Sequence, residues 1–170
     1  MTIIAGRDRT ILRELAREVA DGADDPEMNT RRQRWVEHNA LRSRYPMMLV
    51  FPEGSWQELV PDAELRCEEA GARTTERMLR RRLYTRRHFH DDTVLEKEWV
   101  VPKVVHSTGW GLEPQRIHST DERGAWLFDP VLTSAADVAR IRPPEIRYDE
   151  AASLLELVSA EDLFGDILEV

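Results

Sequence analysis

The chain has little of what usually narrows a protein's chemistry. It carries one cysteine, Cys67, in 170 residues. That excludes an internal disulfide framework and a zinc site built from several cysteines, and it suits a reducing cytoplasm. A lone thiol of this kind reads as a small buried hydrophobe before it reads as a nucleophile. No apolar run approaches the length of a membrane span. The opening Met1-Thr-Ile-Ile-Ala-Gly-Arg7 lacks a basic segment followed by a long apolar one, so no signal peptide is expected.

Positive charge is scarce in the second half. Residues 91–170 hold 7 basic against 17 acidic side chains, whereas residues 1–90 hold 17 against 15. From Asp149 onward there are seven acids and no Lys or Arg. A net charge of −8 argues against a general nucleic-acid binder, which needs a positive surface for phosphate.

What is present suits a globular chain: 41% hydrophobic and 33% charged residues, enough for one domain with a sizeable core. Residues 9–22 have helical periodicity, with Ile11, Leu12, Leu15, Ala16, Val19 and Ala20 on one face. Asp24 or Asp25, followed by Pro26 and Glu27, opens a second helix reaching about Leu41 with a thin apolar face. Tyr45-Pro-Met-Met-Leu-Val-Phe-Pro52 reads as a short buried strand, and Trp56, Leu59 and Val60 as one helical turn. Ala63–Cys67 is a candidate brief strand with Leu65 inward.

Residues 68–88 form the longest expected helix, with Ala72, Thr75, Leu79 and Leu83 inward. Arg73, Arg77, Arg80, Arg81, Arg82, Arg86 and Arg87 surround that stripe. With no aromatic platform or glycine loop beside them, they read as a solvated face pairing with the acidic half or a partner. His88-Phe-His90-Asp91-Asp92 can be written as a metal site, but a helix end is a poor frame for it, and no metal is expected.

The stretch from Glu98 to His118 is the candidate functional region. Val100, Val101, Val104 and Val105 favour a packed strand, placed at an edge or bulge by Pro102. Gly109 and Gly111 flank Trp110 and permit a sharp turn. His106, Trp110, Arg116 and His118 are the candidate ligand-binding residues for a small anion. Arg116 and His118 are two residues apart and share a face in a strand, and Arg116 offers a planar fork for carboxylate or phosphate. The alternatives are a core-filling Trp110 and an Arg116 paired with Glu113, Asp121 or Glu122.

Residues 97–106, 114–118 and 125–129 suggest one small antiparallel sheet, with a polar turn at 119–124. Thr133 or Ser134 caps a short helix, and Asp149 caps a final one. Phe164-Gly-Asp166 then turns into Ile167–Val170, expected to be a strand with an unpaired edge that makes the chain marginally stable or self-associating.

Four pieces carry a resemblance. They are Leu12–Ala20, Met47–Trp56, Leu79–Tyr84 with Val101–Val105, and the Leu163-Phe-Gly-Asp-Ile-Leu168 ending. In order and spacing the chain resembles the N-terminal region of bacterial uroporphyrinogen-decarboxylase-like proteins, which are related to zinc-dependent corrinoid methyltransferases. The resemblance implies a following (β/α) barrel with its active site at the C-terminal mouth of the strands. None of that family's decarboxylase or zinc residues can be carried onto this sequence, so the catalytic residues are unknown and no cofactor is called for.

The expected fold is therefore α+β: a helical arm over 1–45, an α+β body over 46–148, and the first strand of an incomplete barrel over 149–170. The expected function is the front segment of such a decarboxylase or methyltransferase relative, inactive alone. The alternative is a module that binds a small anion or docks on a separately encoded barrel. Self-association is a further expected partnership; nucleic acid and membrane are not expected partners.

Overall fold

The structure is a computed structural model and describes residues 4, 6–120 and 124–170. The architecture is α+β: five α-helices and two small antiparallel sheets among the described residues. The chain gathers into two compact units, one of residues 1–101 with 154–170 and one of residues 102–153.

The first unit is built on α1 (Gly6–Ala23) and α4 (Ala70–His88). The expected apolar stripe of α1 is buried, as are Ala72, Leu79 and Leu83 of α4, and the two helices pack together. α2 (Pro26–Asn39) starts where the sequence indicates: Asp25 accepts the Glu27 N–H at 2.9 Å and Pro26 occupies the first turn. Its one buried residue, Met28, joins the core and accepts the Leu95 N–H on its sulfur at 3.2 Å.

The loop before α4 is held by two carboxylates rather than by a strand. Glu76 accepts the N–H groups of Arg66 and Cys67, each at 2.8 Å, and Asp8 accepts those of Glu68 and Glu69, each at 3.0 Å. The expected strand at Ala63–Cys67 is thus replaced by a 3₁₀ turn, Asp62–Glu64, and a carboxylate-stapled segment, although Leu65 and Cys67 are buried.

The apolar run 45–52 is neither a strand nor buried. Phe51 is 75% exposed and Met48 61%. Its backbone finds two aspartates instead of a neighbouring strand: Met48 N–H donates to the Asp92 carboxylate at 2.8 Å, the Met48 carbonyl accepts the Asp92 N–H at 2.9 Å, and Val50 N–H donates to the Asp91 carboxylate at 2.9 Å. Carboxylates satisfying both amides remove the need for a ladder. The short helix α3 (Trp56–Leu59) follows as expected.

α5 (Glu150–Phe164) contributes Ala160, Leu163 and Phe164 to burial in this unit, and Trp99 packs on Phe164 at 4.9 Å between ring centroids. Gly165 then turns the chain, where an added Cβ would meet the Glu161 carbonyl at 2.7 Å. Ile167–Val170 is not a strand with an unpaired edge. Leu168 is buried, Glu169 donates to the Lys97 carbonyl at 3.1 Å, and Trp99 N–H donates back to Glu169 at 2.7 Å in one isolated parallel bridge. Both backbone groups of Glu169 are thus bonded within the chain.

In the second unit, β1 (Val105–Ser107) pairs with β4 (Ile146–Tyr148), and β2 (Arg116–His118) pairs with β3 (Trp126–Phe128). The expected single sheet is thus two separate ribbons. The strand before His106 is short because regular pairing begins only after Pro102, whose ring nitrogen has no proton to donate. Val100 and Val105 are exposed rather than packed. Ser134 and Asp137 form the reciprocal cap of a 3₁₀ helix, Ala135–Arg140, and Asp149 accepts the Ala152 N–H at 3.0 Å at the start of α5. The centre of the expected turn at 119–124 lies outside the described residues.

Candidate functional site

The four residues singled out in the sequence all lie in the second unit, but they divide between its two ribbons. In β2, Arg116 stands opposite Phe128 and His118 opposite Trp126, so all four side chains share one face. The Arg116 guanidinium lies 4.6 Å from the Trp126 ring centroid and 5.8 Å from that of Phe128. The shared face expected from the two-residue spacing is present, and its occupant is an aromatic pair: Trp126 and Phe128 meet edge to face at 4.5 Å. The alternative ion-pair partners Asp121 and Glu122 lie outside the described residues.

His106 and Trp110 belong with the other ribbon. His106 stands opposite Arg147, and its Nε2 lies 3.3 Å from Asp149 Oδ2. The Ala152 backbone N–H, with His106 assisting, holds the Asp149 carboxyl below its ordinary range. His106 thus helps fix the start of α5. Trp110 is 61% exposed, which removes the core-filling alternative. Gly109 and Gly111 have φ of 68° and 74°, the left-handed conformation expected of them, and the Trp110 carbonyl accepts the Arg142 N–H at 3.0 Å. No described contact joins the His106–Trp110 pair to the Arg116–His118 pair.

The His88–Asp92 segment divides as well. His88 stacks on Tyr84 at 4.2 Å, while Asp91 and Asp92 are committed to backbone amides. Among the described residues no group of three or more His, Cys, Asp or Glu is arranged to hold a metal ion.

The arginines of α4 meet acids, but from the first half of the chain. Arg77 pairs with Asp62 at 2.8 Å, Arg80 with Glu76 at 2.7 Å, Arg86 with Asp25 at 3.0 Å, and Arg87 with Glu18. The missing aromatic platform is also present. Trp56, distant in sequence, lies 5.3 Å from the Arg81 guanidinium carbon and also contacts Tyr84 and Phe89. Sequence spacing within α4 gives no sign of it, because Trp56 comes from α3, outside that helix. The only available signal is the coincidence of a tryptophan turn and an arginine-rich helix in neighbouring segments.

The most extensive exposed chemistry is apolar. On α5, Leu154, Leu155 and Val158 are each more than half exposed, although the same helix buries Ala160, Leu163 and Phe164. A helix apolar on both sides is the pattern of one covered on both sides. On the β2–β3 ribbon, Ile117 faces Leu127 across the strands, and they are 54% and 67% exposed. On the β1–β4 ribbon, Val105 and its cross-strand partner Tyr148 are similarly open. No helix is long and apolar enough to cross a membrane among the described residues. No protein-family model, curated protein or solved structure matches the chain.

Proposed function

We propose that this chain is a non-catalytic docking segment, and that its partner is the barrel body of a uroporphyrinogen-decarboxylase-like protein. The observation that carries the reading is the second apolar face of α5, Leu154, Leu155 and Val158, left open opposite a face already buried. Isolated apolar side chains at a surface are ordinary, whereas a row of them on a helix with a buried opposite side marks an interaction surface. The two ribbons support the reading in their own right, since two-stranded sheets with apolar residues on an open face need a covering layer for stability. The resemblance of Leu12–Ala20, Met47–Trp56 and the Leu163–Leu168 ending to the front of such proteins supplies the identity of the partner. Catalysis, by a decarboxylase or a methyltransferase relative, belongs to the barrel in this reading.

The test is co-expression with a uroporphyrinogen-decarboxylase-like barrel encoded beside this reading frame, followed by hydrogen exchange. A one-to-one complex is expected, with the amides of Leu154–Val158 slowed in the complex relative to the free chain. Leu155→Asp places a charge on the docking face and should abolish the complex while leaving the helical signal intact. A chain that remains a separate monomer beside the barrel, with unchanged exchange in α5, refutes the proposal.

The smaller alternative, a small anion held by His106, Trp110, Arg116 and His118, has one supporting observation: Arg116 and His118 share a face. Arg116→Ala tests it, by loss of anion binding without loss of fold.

A further inference from the structure

The first unit contains a cavity of about 330 Å³ lined by Met28, Trp56, Arg81, Arg82, Val94 and Leu95, among others. Its walls are largely apolar, and its charged groups are unequally satisfied. Glu96 and Arg86 line it too, but each has its counter-ion: Arg32 holds Glu96 at 2.6 Å, and Asp25 holds Arg86 at 3.0 Å. Arg82 is different. It donates to the backbone carbonyls of Glu96 and Glu98, which accept hydrogen bonds without cancelling its charge. Burial draws the Arg82 guanidinium below its ordinary value, against the opposing charges of Glu96 and Glu98. Arg81 is less satisfied still. Its guanidinium lies against the Trp56 ring at 5.3 Å, and its Nε is buried with no acceptor. Buried polar atoms are almost always hydrogen-bonded, so an orphan donor within a side chain that lines the cavity calls for an explanation. Asp62, whose charge also feels Arg81, is held by Arg77 at 2.8 Å.

We propose that this cavity binds a small organic anion: an apolar ring system bearing a single carboxylate. The carboxylate would accept from Arg81 and sit in the field of Arg82, and the ring would lie against Trp56, Met28 and Val94. Three features select that class. The arginine fork matches a planar carboxylate. The apolar walls disfavour a bare inorganic anion. A cavity of about 330 Å³ is at the small end of the usual range for ligand sites, which suits a compact molecule. The site is distinct from the β2–β3 face where an anion was expected from sequence, and it is independent of the docking reading.

The experiment uses the full chain labelled with ¹⁵N and the probe 2-naphthoate. Trp56→Phe assigns one of the five indole N–H signals to Trp56. Addition of 2-naphthoate to the wild type should shift that signal and the Arg81 Nε–H signal along one saturating curve. Three comparisons follow. Neutral 2-naphthamide should bind about tenfold more weakly or worse, because it lacks the charge-assisted bond. Arg81→Gln should weaken 2-naphthoate by a similar factor, and Arg81→Lys by less. Inorganic phosphate should compete poorly, having no apolar body. The proposal is overturned if the Trp56 signal does not saturate, if the amide binds as well as the acid, if Arg81→Gln leaves the affinity unchanged, or if phosphate competes as well as 2-naphthoate. The acid–amide comparison is made on the wild type, so it decides the matter even if an Arg81 variant fails to fold.

Discussion

Removing the Glu76 carboxylate should cost more stability than removing any solvated charge on α4. Glu76 is fully buried and accepts three hydrogen bonds: the Arg66 and Cys67 N–H groups at 2.8 Å each and Arg80 Nε at 2.7 Å. In Glu76→Ala the Arg80 side chain, about a quarter exposed, can turn to water. The two amides cannot do so equally: that of Cys67 is buried and that of Arg66 partly buried. An unsatisfied buried donor costs roughly 1–3 kcal/mol, so the pair together costs about 3 kcal/mol. For a chain of this size that corresponds to a fall in Tm of about 6–12 °C. Glu76→Gln keeps the shape and one acceptor oxygen but turns an amide nitrogen toward a second N–H donor, and it should fall between wild type and Glu76→Ala.

The same carboxylate makes stability depend on pH. Burial alone would raise the Glu76 pKa, but the bonds from Arg66, Cys67 and Arg80 outweigh burial and hold it below its ordinary 4.5. A depressed folded-state pKa means that the contribution is fully present above about 4.5 and is lost as pH falls through the folded value. Urea unfolding followed by far-UV circular dichroism, at pH 7 and at steps below pH 4.5, measures both effects. The stability gap between wild type and Glu76→Gln should narrow in the acid range. A Glu76→Ala variant within about 1 kcal/mol of wild type at neutral pH would refute the reasoning, because the loop would then be held by something else.

Three further outcomes are expected. Leu79→Ala, at a fully buried position facing α1, should destabilise by about 2–5 kcal/mol in the same urea assay. The Cys67 thiol, pushed up to about 12 by burial and then by Glu76 and Asp8, should resist Ellman's reagent in the folded chain at pH 8 and react at once in denaturant. Gly111→Ala, at φ 74° and with Arg142 only 3.4 Å from the added Cβ, should strain the Trp110 turn by about 1–2 kcal/mol, seen as faster exchange of the Arg142 amide bonded to the Trp110 carbonyl.

The helices were legible because their signals are local. The stripe of α1, the Asp25–Pro26 start of α2 and the inward face of α4 each lie within one segment, and each is found at its expected place. The φ values of Gly109 and Gly111 were legible for the same reason. The strands were not. Tyr45–Pro52 has the composition of a buried strand, but it lies open because Asp91 and Asp92 reach its amides from more than forty residues away. The pairing of β1 with β4 rather than β2 depends on a contact across some forty residues that contain no alternation to announce it. At the candidate site the shared face of Arg116 and His118 followed from strand geometry. The aromatic pair beneath Arg116, and the tryptophan beside Arg81, are long-range partners that spacing does not encode.

These exceptions have a common physical cause. Where the chain departs from helix, a carboxylate repeatedly takes the place that a neighbouring strand would occupy: Asp8 for 68–69, Glu76 for 66–67, Asp91 and Asp92 for 48–50, and Asp137 for 133–134. An ionised carboxylate can accept several N–H groups at once and needs no register, so a short loop fixed this way can expose its side chains without leaving buried amides unpaired. That explains how Met48, Phe51 and their neighbours remain open although their segment has the composition of a core strand. It also means that part of the chain's acidity is structural: Asp8, Glu76 and Asp91 are buried and committed to the backbone. The count of acidic side chains therefore overstates the negative surface available to a partner, and the apolar faces of α5 and the two ribbons carry correspondingly more of any docking energy.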